Sequence, residues 1–148
     1  MEQKNYDCLK LANQLCFPLY ACARETVKLY TPYLDKLGLT YTQYITMMVL
    51  WEHKSMTAKE LGRILYLDSG TLTPLLKKLE AKNLLTRKRS KADERNLIVT
   101  ITEQGEALKD EAVHIPNAMG KCVNLELDEI RTVYHLLYKM LEQAESGR

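Results

Sequence analysis

The 148-residue sequence has no apolar run long enough to cross a lipid bilayer. Its longest apolar-rich stretch, residues 44–51, is interrupted by Thr46, whereas a membrane-spanning helix needs about 20 apolar residues. Residues 1–7 are mostly polar and lack the apolar segment of a secretory signal. These absences predict a cytoplasmic protein with no membrane partner.

The sequence also lacks a pattern of metal ligands. Its three histidines are widely scattered and its four cysteines include no CxxC pair, so the ligand spacing of a zinc site is missing. In a reducing compartment the default state of a cysteine is the free thiol. We therefore predict neither a metal nor a cofactor, and four free thiols: Cys8, Cys16, Cys22 and Cys122.

No internal repeat, low-complexity tract or linker divides the chain, so we expect one unit over residues 1–148. The charge, in contrast, is unevenly distributed. Residues 77–95 hold eight Lys or Arg against three Asp or Glu, a net charge of +5, so the rest of the chain carries −3 of the total +2. A positive field concentrated in one segment suits a polyanionic partner better than it suits general solubility.

Helical patterns fill the first half of the chain. The first helix is predicted from about Leu9 to Tyr33 and contains Pro18, which either kinks it or marks its first turn. Capping boxes at residues 40–43 and 57–60 open a helix that reaches about residue 53 and a shorter helix after it. The residues predicted to be buried in these two helices are Tyr44, Ile45, Met48, Trp51, Leu61, Ile64 and Leu65.

The next helical pattern, residues 69–81, has two contrasting faces. Its leucines recur at i, i+3, i+4 and i+7, which predicts a buried side, and its other side carries Ser, Thr and Lys. Pro74 leaves the first residue of this helix open. With Ser69 as the N-cap the proline lies beyond the first turn, whereas Thr73 as the N-cap puts it at the favoured first position. Two successive helices joined by a short turn predict a helix-turn-helix.

A hairpin follows this helix. Residues 84–88 and 96–102 have strand character, the second alternating with a period of two, and the polar loop 89–95 between them is too charged to be buried. This hairpin is predicted to be a wing. Residues 102–105 begin a helix that should stop near Pro116. The last helix carries an apolar stripe of helical period: Leu127, Ile130, Val133, Tyr134, Leu137, Met140 and Leu141.

The predicted fold class is mainly α with a two-stranded β-wing. We assign a winged helix-turn-helix lobe to residues 38–105 and dimerisation helices to residues 1–37 and 106–148. The terminal helices carry more apolar surface than a small winged domain covers. We therefore expect them to pair with each other and with a second copy in a C2 homodimer.

A helix-turn-helix with a basic wing predicts double-stranded DNA as the partner. In the major groove, Ser69, Thr71 and Thr73 would approach base edges while Lys77 and Lys78 reach phosphates. In the wing, Arg95 would enter a minor groove with Asp93 orienting its guanidinium. The wing cations Arg87 and Arg89 complete the predicted DNA-binding set. The alternative is that the cations merely form a solvated face.

Cys16 is the thiol whose surroundings suggest reactivity, because it lies two residues before Pro18. If Pro18 opens a helical segment, Cys16 lies near a helix N-terminus, where the dipole favours the thiolate. If the helix runs through, that argument fails. The alternative for any cysteine among apolar neighbours is a buried, inert thiol, and Cys8 and Cys22 are interpreted as structural or incidental.

From Leu11 to Gly105 the sequence resembles the MarR family of winged-helix repressors, in its organic-hydroperoxide sensor (OhrR) branch. The Asp93-Glu94-Arg95 wing indicates the wider family, and the run from Leu15 to Phe17 around Cys16 points to the thiol-sensing branch. The other matching segments are residues 13–17, 19–21, 39–44 and 67–77. The resemblance covers about two-thirds of the chain. It implies a cytoplasmic homodimeric repressor, not an enzyme, that binds a pseudo-palindromic operator and releases it under organic hydroperoxide stress.

The resemblance further implies that Cys16 is the peroxide-sensing thiolate and that Tyr30 and Tyr41 hydrogen-bond to it. Cys16 and Tyr30 are 14 residues apart, about 21 Å along a straight helix at ~1.5 Å per residue. If all three residues serve one site, the site therefore spans the dimer. The alternative for the tyrosines is packing in the dimer core, which is compatible with the sensing role.

Oxidation of the thiolate would produce a sulfenic acid. Cys122 lies near the region where two-cysteine members of this branch carry a resolving thiol, so a Cys16–Cys122 disulfide between subunits is one hypothesis, and a mixed disulfide with a low-molecular-weight thiol is its rival. Two other functions stay open at this point. One is a MarR-type repressor that answers a small aromatic ligand, with Cys16 incidental; the other is a thiol peroxidase.

Overall fold

The computed structural model describes residues 5–146. Residues 1–4 of the polar start, and the last two residues of the predicted 1–148 unit, lie outside this range. The chain divides into two compact units, Met1–Ile115 and Pro116–Arg148. Two short 3₁₀ turns, Asp7–Leu9 and Leu11–Asn13, precede the following elements: α1 Cys16–Leu37, α2 Tyr41–His53, β1 Ser55–Thr57, α3 Ala58–Leu65, α4 Ser69–Ala81, β2 Leu85–Arg89, β3 Leu97–Ile101, α5 Glu103–Ala112, α6 Ile115–Gly120 and α7 Leu127–Ser146.

The first helix begins later than its apolar pattern predicted. Helix α1 starts at Cys16, so Pro18 lies in the first turn, where its missing N–H has no intrahelical partner to lose. The helix continues through Pro32 to Leu37 and is capped by Gly38, whose φ of 64° is the left-handed conformation of a helix C-cap. Pro18 therefore does not kink a through-running helix. The predicted start at Leu9 is wrong because the residues before Cys16 form 3₁₀ turns.

The capping box predicted for α2 is confirmed. The Thr40 side chain accepts the Gln43 N–H and the Gln43 side chain accepts the Thr40 N–H. The predicted buried face of this helix is only partly right: Tyr44 and Trp51 are buried, whereas Met48 is exposed and Ile45 is half-buried. The face is set by packing against α1, α3, α4 and α5, and these contacts bury Gln43, Thr46, Met47 and Leu50 as well.

The helix-turn-helix is formed by α3 and α4. The capping box of α3 at Thr57 and Glu60 is confirmed, and Leu61 is fully buried, but Ile64 is exposed against expectation and Leu65 is half-buried. Gly62 permits the tight turn, because a Cβ there would lie 2.9 Å from the Leu67 carbonyl oxygen.

The N-cap of α4 is Asp68, so both predicted N-caps, Ser69 and Thr73, are wrong. The Asp68 side chain accepts the Thr71 N–H, and Pro74 lies inside the helix. A carboxylate is among the best N-caps, and with this cap Pro74 is the sixth residue of the helix, where it removes one helical hydrogen bond. The predicted leucine face is confirmed as buried, with members Leu72, Leu75, Leu76 and Leu79.

The wing is part of a three-stranded antiparallel sheet of order β1-β3-β2. The hairpin of β2 and β3 pairs Leu85 with Ile101 and Arg89 with Leu97, which confirms the two predicted strands to within a residue or two. Strand β1 was not predicted. It pairs Ser55 with Thr100. A strand of three residues is too short for its sequence to show the alternation of period two that predicts a strand.

Helix α5 begins where the sequence predicted but ends at Ala112, before the predicted end near Pro116. Thr102 caps it by accepting the Gly105 N–H, and its last residue is Ala112. Pro116 belongs instead to the separate short helix α6. The start of α5 is held by the indole N–H of Trp51, which donates to the Gly105 carbonyl at 2.8 Å.

Gly105 gives the first testable prediction. A Cβ at this position would lie 2.1 Å from the Leu84 carbonyl oxygen and 2.9 Å from Ile101 Cγ1, so backbone has to move. We expect Gly105→Ala to lower the free energy of unfolding by about 3 kcal/mol. Urea denaturation at fixed protein concentration measures this change in the free energy of unfolding. The control is Gly120→Ala, where nothing lies within 4 Å of the added Cβ; equal losses in the two variants would contradict the packing argument.

The second unit contains the predicted apolar stripe of α7. The side chains of Leu127, Val133 and Tyr134 are exposed in the single chain, and the rings of Tyr134 and Tyr138 lie 4.6 Å apart. The two units meet between residues 115 and 116, whereas the predicted DNA-binding lobe ended at residue 105 and began at residue 38. The first unit is larger than that lobe because α1 and α5 contact α2. The assignment of a DNA-binding lobe and of dimerisation helices stays a prediction.

Within residues 5–146, no helix combines the length and apolar character needed to cross a membrane. The described part of the chain also contains no cluster of three or more His, Cys, Asp or Glu side chains arranged for a metal ion.

Candidate DNA interface and thiol site

The exposed face of α4 carries the polar residues that the sequence assigned to DNA. Its leucines are buried, and the helix therefore turns its opposite side outward. The residues on that side are Ser69, Thr71, Thr73, Lys77 and Lys78, all exposed. Small hydroxyls lie toward the N-terminus and cations toward the C-terminus, which is the order needed to contact base edges and then phosphates.

Thr71 is held by the N-cap of its own helix. Its backbone N–H donates to Asp68 Oδ1 at 2.9 Å, and its hydroxyl donates to Asp68 Oδ2 at 2.9 Å. These hydrogen bonds, the backbone one first, hold the pKa of Asp68 below its ordinary value. Because the hydroxyl proton is engaged, Thr71 presents an acceptor oxygen and a methyl group, and a methyl group suits contact with thymine.

The wing tip presents Arg95 outward on a carboxylate. The Arg95 guanidinium donates from Nε to Asp93 Oδ1 at 3.0 Å and from a terminal nitrogen to Oδ2 at 3.2 Å. Its side chain is 91% exposed, and the Arg95 hydrogen bond is the main cause that lowers the pKa of Asp93. Asp93 also accepts the Asn96 side chain at 3.3 Å. Asp93 therefore holds the Arg95 guanidinium, and the entry of Arg95 into a minor groove stays a prediction.

Arg87 and Arg89 differ in what they contact. Arg89 is exposed and donates to the Glu94 carbonyl at 3.0 Å. Arg87 is only 19% exposed and pairs with Glu80 of α4. The Arg87 side-chain hydrogen bond holds the pKa of Glu80 below its ordinary value, so the pair is ionised on both sides. The sequence assigned Arg87 to DNA and missed Glu80, because these residues belong to different elements.

The structure places Cys16 at the first residue of α1 with its side chain exposed. Of the two possibilities considered for Pro18, this is the one that puts the thiol at a helix N-terminus. The adjacent side chains of Leu15 and Phe17 are apolar and exposed. Cys8 and Cys22 are exposed in the single chain as well.

The predicted tyrosines form a cluster. The rings of Tyr30 and Tyr41 lie 4.9 Å apart, and Tyr44, which the sequence placed only in the core, lies 5.9 Å from Tyr30. Burial, followed by repulsion from Tyr41, raises the pKa of Tyr30. The pKa of Tyr44 is raised mainly by burial and to a lesser extent by repulsion from the neighbouring tyrosines. Both hydroxyls therefore keep their protons at neutral pH and can donate hydrogen bonds.

The cluster and the thiol are not brought together within one chain. Helix α1 runs unbroken from Cys16 to Leu37, so the 14 residues between Cys16 and Tyr30 span about 21 Å. In the second unit, Cys122 is exposed and its Sγ donates to the Ala118 carbonyl at 3.6 Å. Any site that uses Cys16 together with Tyr30 and Tyr41 therefore requires a second copy of the chain.

Comparison with known proteins identifies related transcriptional regulators. A family model described as transcriptional regulator SarA/Rot matches residues 28–112. The organic hydroperoxide resistance transcriptional regulator of Bacillus subtilis is 49% identical over 142 residues, which covers 96% of each chain.

The fold is similar to that of AbfR, a protein of Staphylococcus epidermidis. Reduced AbfR bound to DNA is 35% identical with a TM-score of 0.77, covering 92% of this chain and 94% of that one. Overoxidised AbfR bound to DNA is 36% identical with a TM-score of 0.76, covering 92% and 96%. The disulfide form of AbfR, also 36% identical and covering 93% and 94%, has a TM-score of 0.62.

The same fold is present in a MarR variant from E. coli in complex with operator DNA, with a TM-score of 0.80, 24% identity and coverage of 93% and 99%. At that identity the likeness concerns the fold alone. The Bacillus relative, however, matches nearly the whole chain. This protein therefore belongs to the MarR family of winged-helix transcriptional regulators, in its organic-hydroperoxide sensor branch.

Proposed function

We propose that this regulator is a cytoplasmic homodimeric repressor that binds a pseudo-palindromic operator and releases it when an organic hydroperoxide oxidises Cys16. The observation that carries the proposal is the exposed thiol of Cys16 at the N-terminus of the 22-residue helix α1. The similarity to the Bacillus hydroperoxide resistance regulator supports it. The chain is a regulator and not an enzyme, and the thiol peroxidase alternative is therefore set aside.

Operator binding uses two exposed parts of the first unit. Helix α4 enters the major groove with Ser69, Thr71 and Thr73 near base edges, and Lys77 and Lys78 contact phosphates. Arg95, held by Asp93, enters the adjacent minor groove. In a C2 dimer the two recognition helices contact half-sites about one helical turn, or ~10 bp, apart.

The sensing reaction takes place at the Cys16 sulfur. The thiolate attacks one peroxide oxygen, the O–O bond breaks, and the alkoxide leaves as an alcohol after it takes up a proton; the sulfur is oxidised to a sulfenic acid and the peroxide is reduced. Tyr30 and Tyr41 of the second protomer donate hydrogen bonds to the thiolate. The cluster is largely aromatic, which favours an organic peroxide over hydrogen peroxide.

Release follows from a change of dimer geometry after a disulfide forms. The thiolate of Cys122 in the partner subunit attacks the sulfenic sulfur of Cys16, the S–S bond forms as the S–O bond breaks, and the hydroxide that leaves takes up a proton to become water. The TM-score of this chain with disulfide-form AbfR is 0.62, against 0.77 and 0.76 with the two DNA-bound forms, so in that relative the disulfide form differs in conformation from the forms that bind DNA. A shift of a few kcal/mol between two dimer geometries is enough to empty most operators.

The test of the function is operator release by the oxidised wild-type protein. An operator duplex is first selected from a random-sequence pool by the reduced protein, and binding is then measured with increasing tert-butyl hydroperoxide. We expect release at peroxide concentrations comparable to that of the protein, and rebinding after a dithiol reductant is added. Release by a small aromatic acid and not by the peroxide would favour the ligand-responsive alternative.

The resolving role of Cys122 gives a separate prediction. Peroxide-treated wild-type protein should run as a disulfide-linked dimer on a non-reducing gel, and Cys122→Ser should run as a monomer. The variant should also stop at the sulfenic acid, detected by mass spectrometry as one added oxygen. The matched control is Cys8→Ser, which removes another exposed thiol and should still give the linked dimer. A monomeric wild type that carries a mixed disulfide would show that a low-molecular-weight thiol resolves the sulfenic acid.

A further inference from the structure

Glu80 holds Arg87 by three hydrogen bonds. Glu80 Oε1 accepts the Arg87 backbone N–H at 3.0 Å, and Glu80 Oε2 accepts Nε at 3.0 Å and a terminal guanidinium nitrogen at 2.6 Å. The carboxylate therefore binds the main chain and the side chain of the same residue. We call this arrangement the Glu80–Arg87 clamp.

The clamp joins the two elements that carry the predicted DNA contacts. Glu80 lies in the last turn of α4, and Arg87 lies in the middle of β2, opposite Val99 of β3. Because β2 is an edge strand, the outward N–H of Arg87 has no neighbouring strand to pair with, and Glu80 supplies its acceptor. The clamp thus ties the C-terminal end of the recognition helix to the strand that leads to the wing tip.

We propose that Glu80 is a positioning residue for operator recognition, which acts through Arg87 to hold the wing, and with it Arg95, at a defined distance from the recognition helix. This inference rests on the proposed binding of DNA by α4 and the wing. It replaces the direct DNA contact predicted for Arg87, since the guanidinium is turned toward Glu80 and mostly covered.

The direction in which Glu80→Gln changes DNA affinity distinguishes a positioning role of Glu80 from an effect of its charge alone. Replacing Glu80 by Gln removes a negative charge near a polyanion, so electrostatics alone predicts tighter binding to every DNA sequence. Loss of the clamp predicts weaker binding to the operator, because a wing that is free to move pays an ordering entropy on binding. Arg87→Lys keeps the positive charge for a phosphate but lacks the fork that matches a carboxylate, so it should resemble Glu80→Gln.

The experiment is a double-mutant cycle on operator affinity with Glu80→Gln and Arg95→Ala. In the wild-type background, Arg95→Ala should weaken operator binding by about 10-fold to 100-fold. In the Glu80→Gln background it should weaken binding by less than about threefold, since Arg95 is already displaced. Glu80→Gln alone should weaken operator binding about tenfold and leave the affinity for a non-specific duplex unchanged or higher.

Glu94→Gln is the matched control, since Glu94 is exposed in the wing and the change removes the same charge without touching the clamp. It should leave the cost of Arg95→Ala intact. The folded fraction of each variant is measured by circular dichroism, and Arg87→Lys takes the place of Glu80→Gln in the cycle if the latter is poorly folded.

The proposal is overturned if Arg95→Ala weakens operator binding as much in the Glu80→Gln background as in the wild-type background, because the wing would then be positioned without Glu80. Tighter operator binding by Glu80→Gln would also overturn it. If Arg95→Ala costs nothing in the wild-type background, the wing contact of the proposed function fails first, and the clamp proposal fails with it.

Discussion

We expect the Cys16→Ser variant to remain bound to its operator at organic hydroperoxide concentrations that release the wild-type protein. The thiolate is the nucleophile that attacks a peroxide, and a serine hydroxyl is neither ionised nor oxidised under the same conditions. The dose of tert-butyl hydroperoxide needed for half release should rise at least about 100-fold. Fluorescence anisotropy of the selected operator duplex, recorded with and without peroxide, measures this shift.

The matched control for this prediction is Cys22→Ser. Cys22 is exposed on the same helix, six residues further along, but it does not lie in the first turn of α1. The Cys22→Ser variant should release the operator at the wild-type dose. Release of both variants at that dose would show that Cys16 is incidental and that the inducer acts elsewhere; retention by both would show that Cys22 takes part.

A heterodimer tests whether the thiol site is formed between subunits. Replacing Tyr30 and Tyr41 by Phe removes two hydroxyls and keeps the ring packing seen at 4.9 Å. Hydrogen bonds to a charged partner are worth about 1.5–3 kcal/mol each, so loss of both should slow sulfenic acid formation in the homodimeric double variant by at least about 100-fold. The rate is measured with a sulfenic-acid-specific trap and mass spectrometry.

In the heterodimer, one protomer carries Cys16→Ser and the other carries the two Phe substitutions. Its one remaining Cys16 lies in the Phe-bearing protomer. If the site spans the dimer, this thiol is paired with the intact tyrosines of the other protomer and reacts at the wild-type rate. If the site lies within one chain, the thiol has only Phe neighbours and reacts as slowly as in the homodimeric double variant. The second result would contradict the argument from the length of α1.

Much of the DNA-binding surface was predictable because its signals are local. The leucines of α4 recur at helical spacing within about two turns, and the capping boxes at Thr40 and Thr57 need only four consecutive residues. The wing strands show their alternation within a few residues of chain. In each case, the groups that interact are close together in the sequence.

The errors occurred where several local solutions compete or where the deciding contact is distant. Asp68, Ser69 and Thr73 are all acceptable N-caps, and Asp68 is the one whose side chain accepts the Thr71 N–H. Strand β1 exists only because β3 passes beside it. Met48 was placed on the wrong side of α2, since a helix with apolar residues around most of its circumference does not reveal which side its neighbours cover.

The sequence by itself determined the helix-turn-helix, the basic wing and the thiol at Cys16, because each depends on residue types at short spacing. Only the tertiary structure decided that Pro18 opens a helix at Cys16, that Tyr44 joins Tyr30 and Tyr41, and that Arg87 pairs with Glu80. The physical reason is that a side chain's partners are set by which elements pack together, and that packing depends on buried contacts summed over the whole core and not on any one segment.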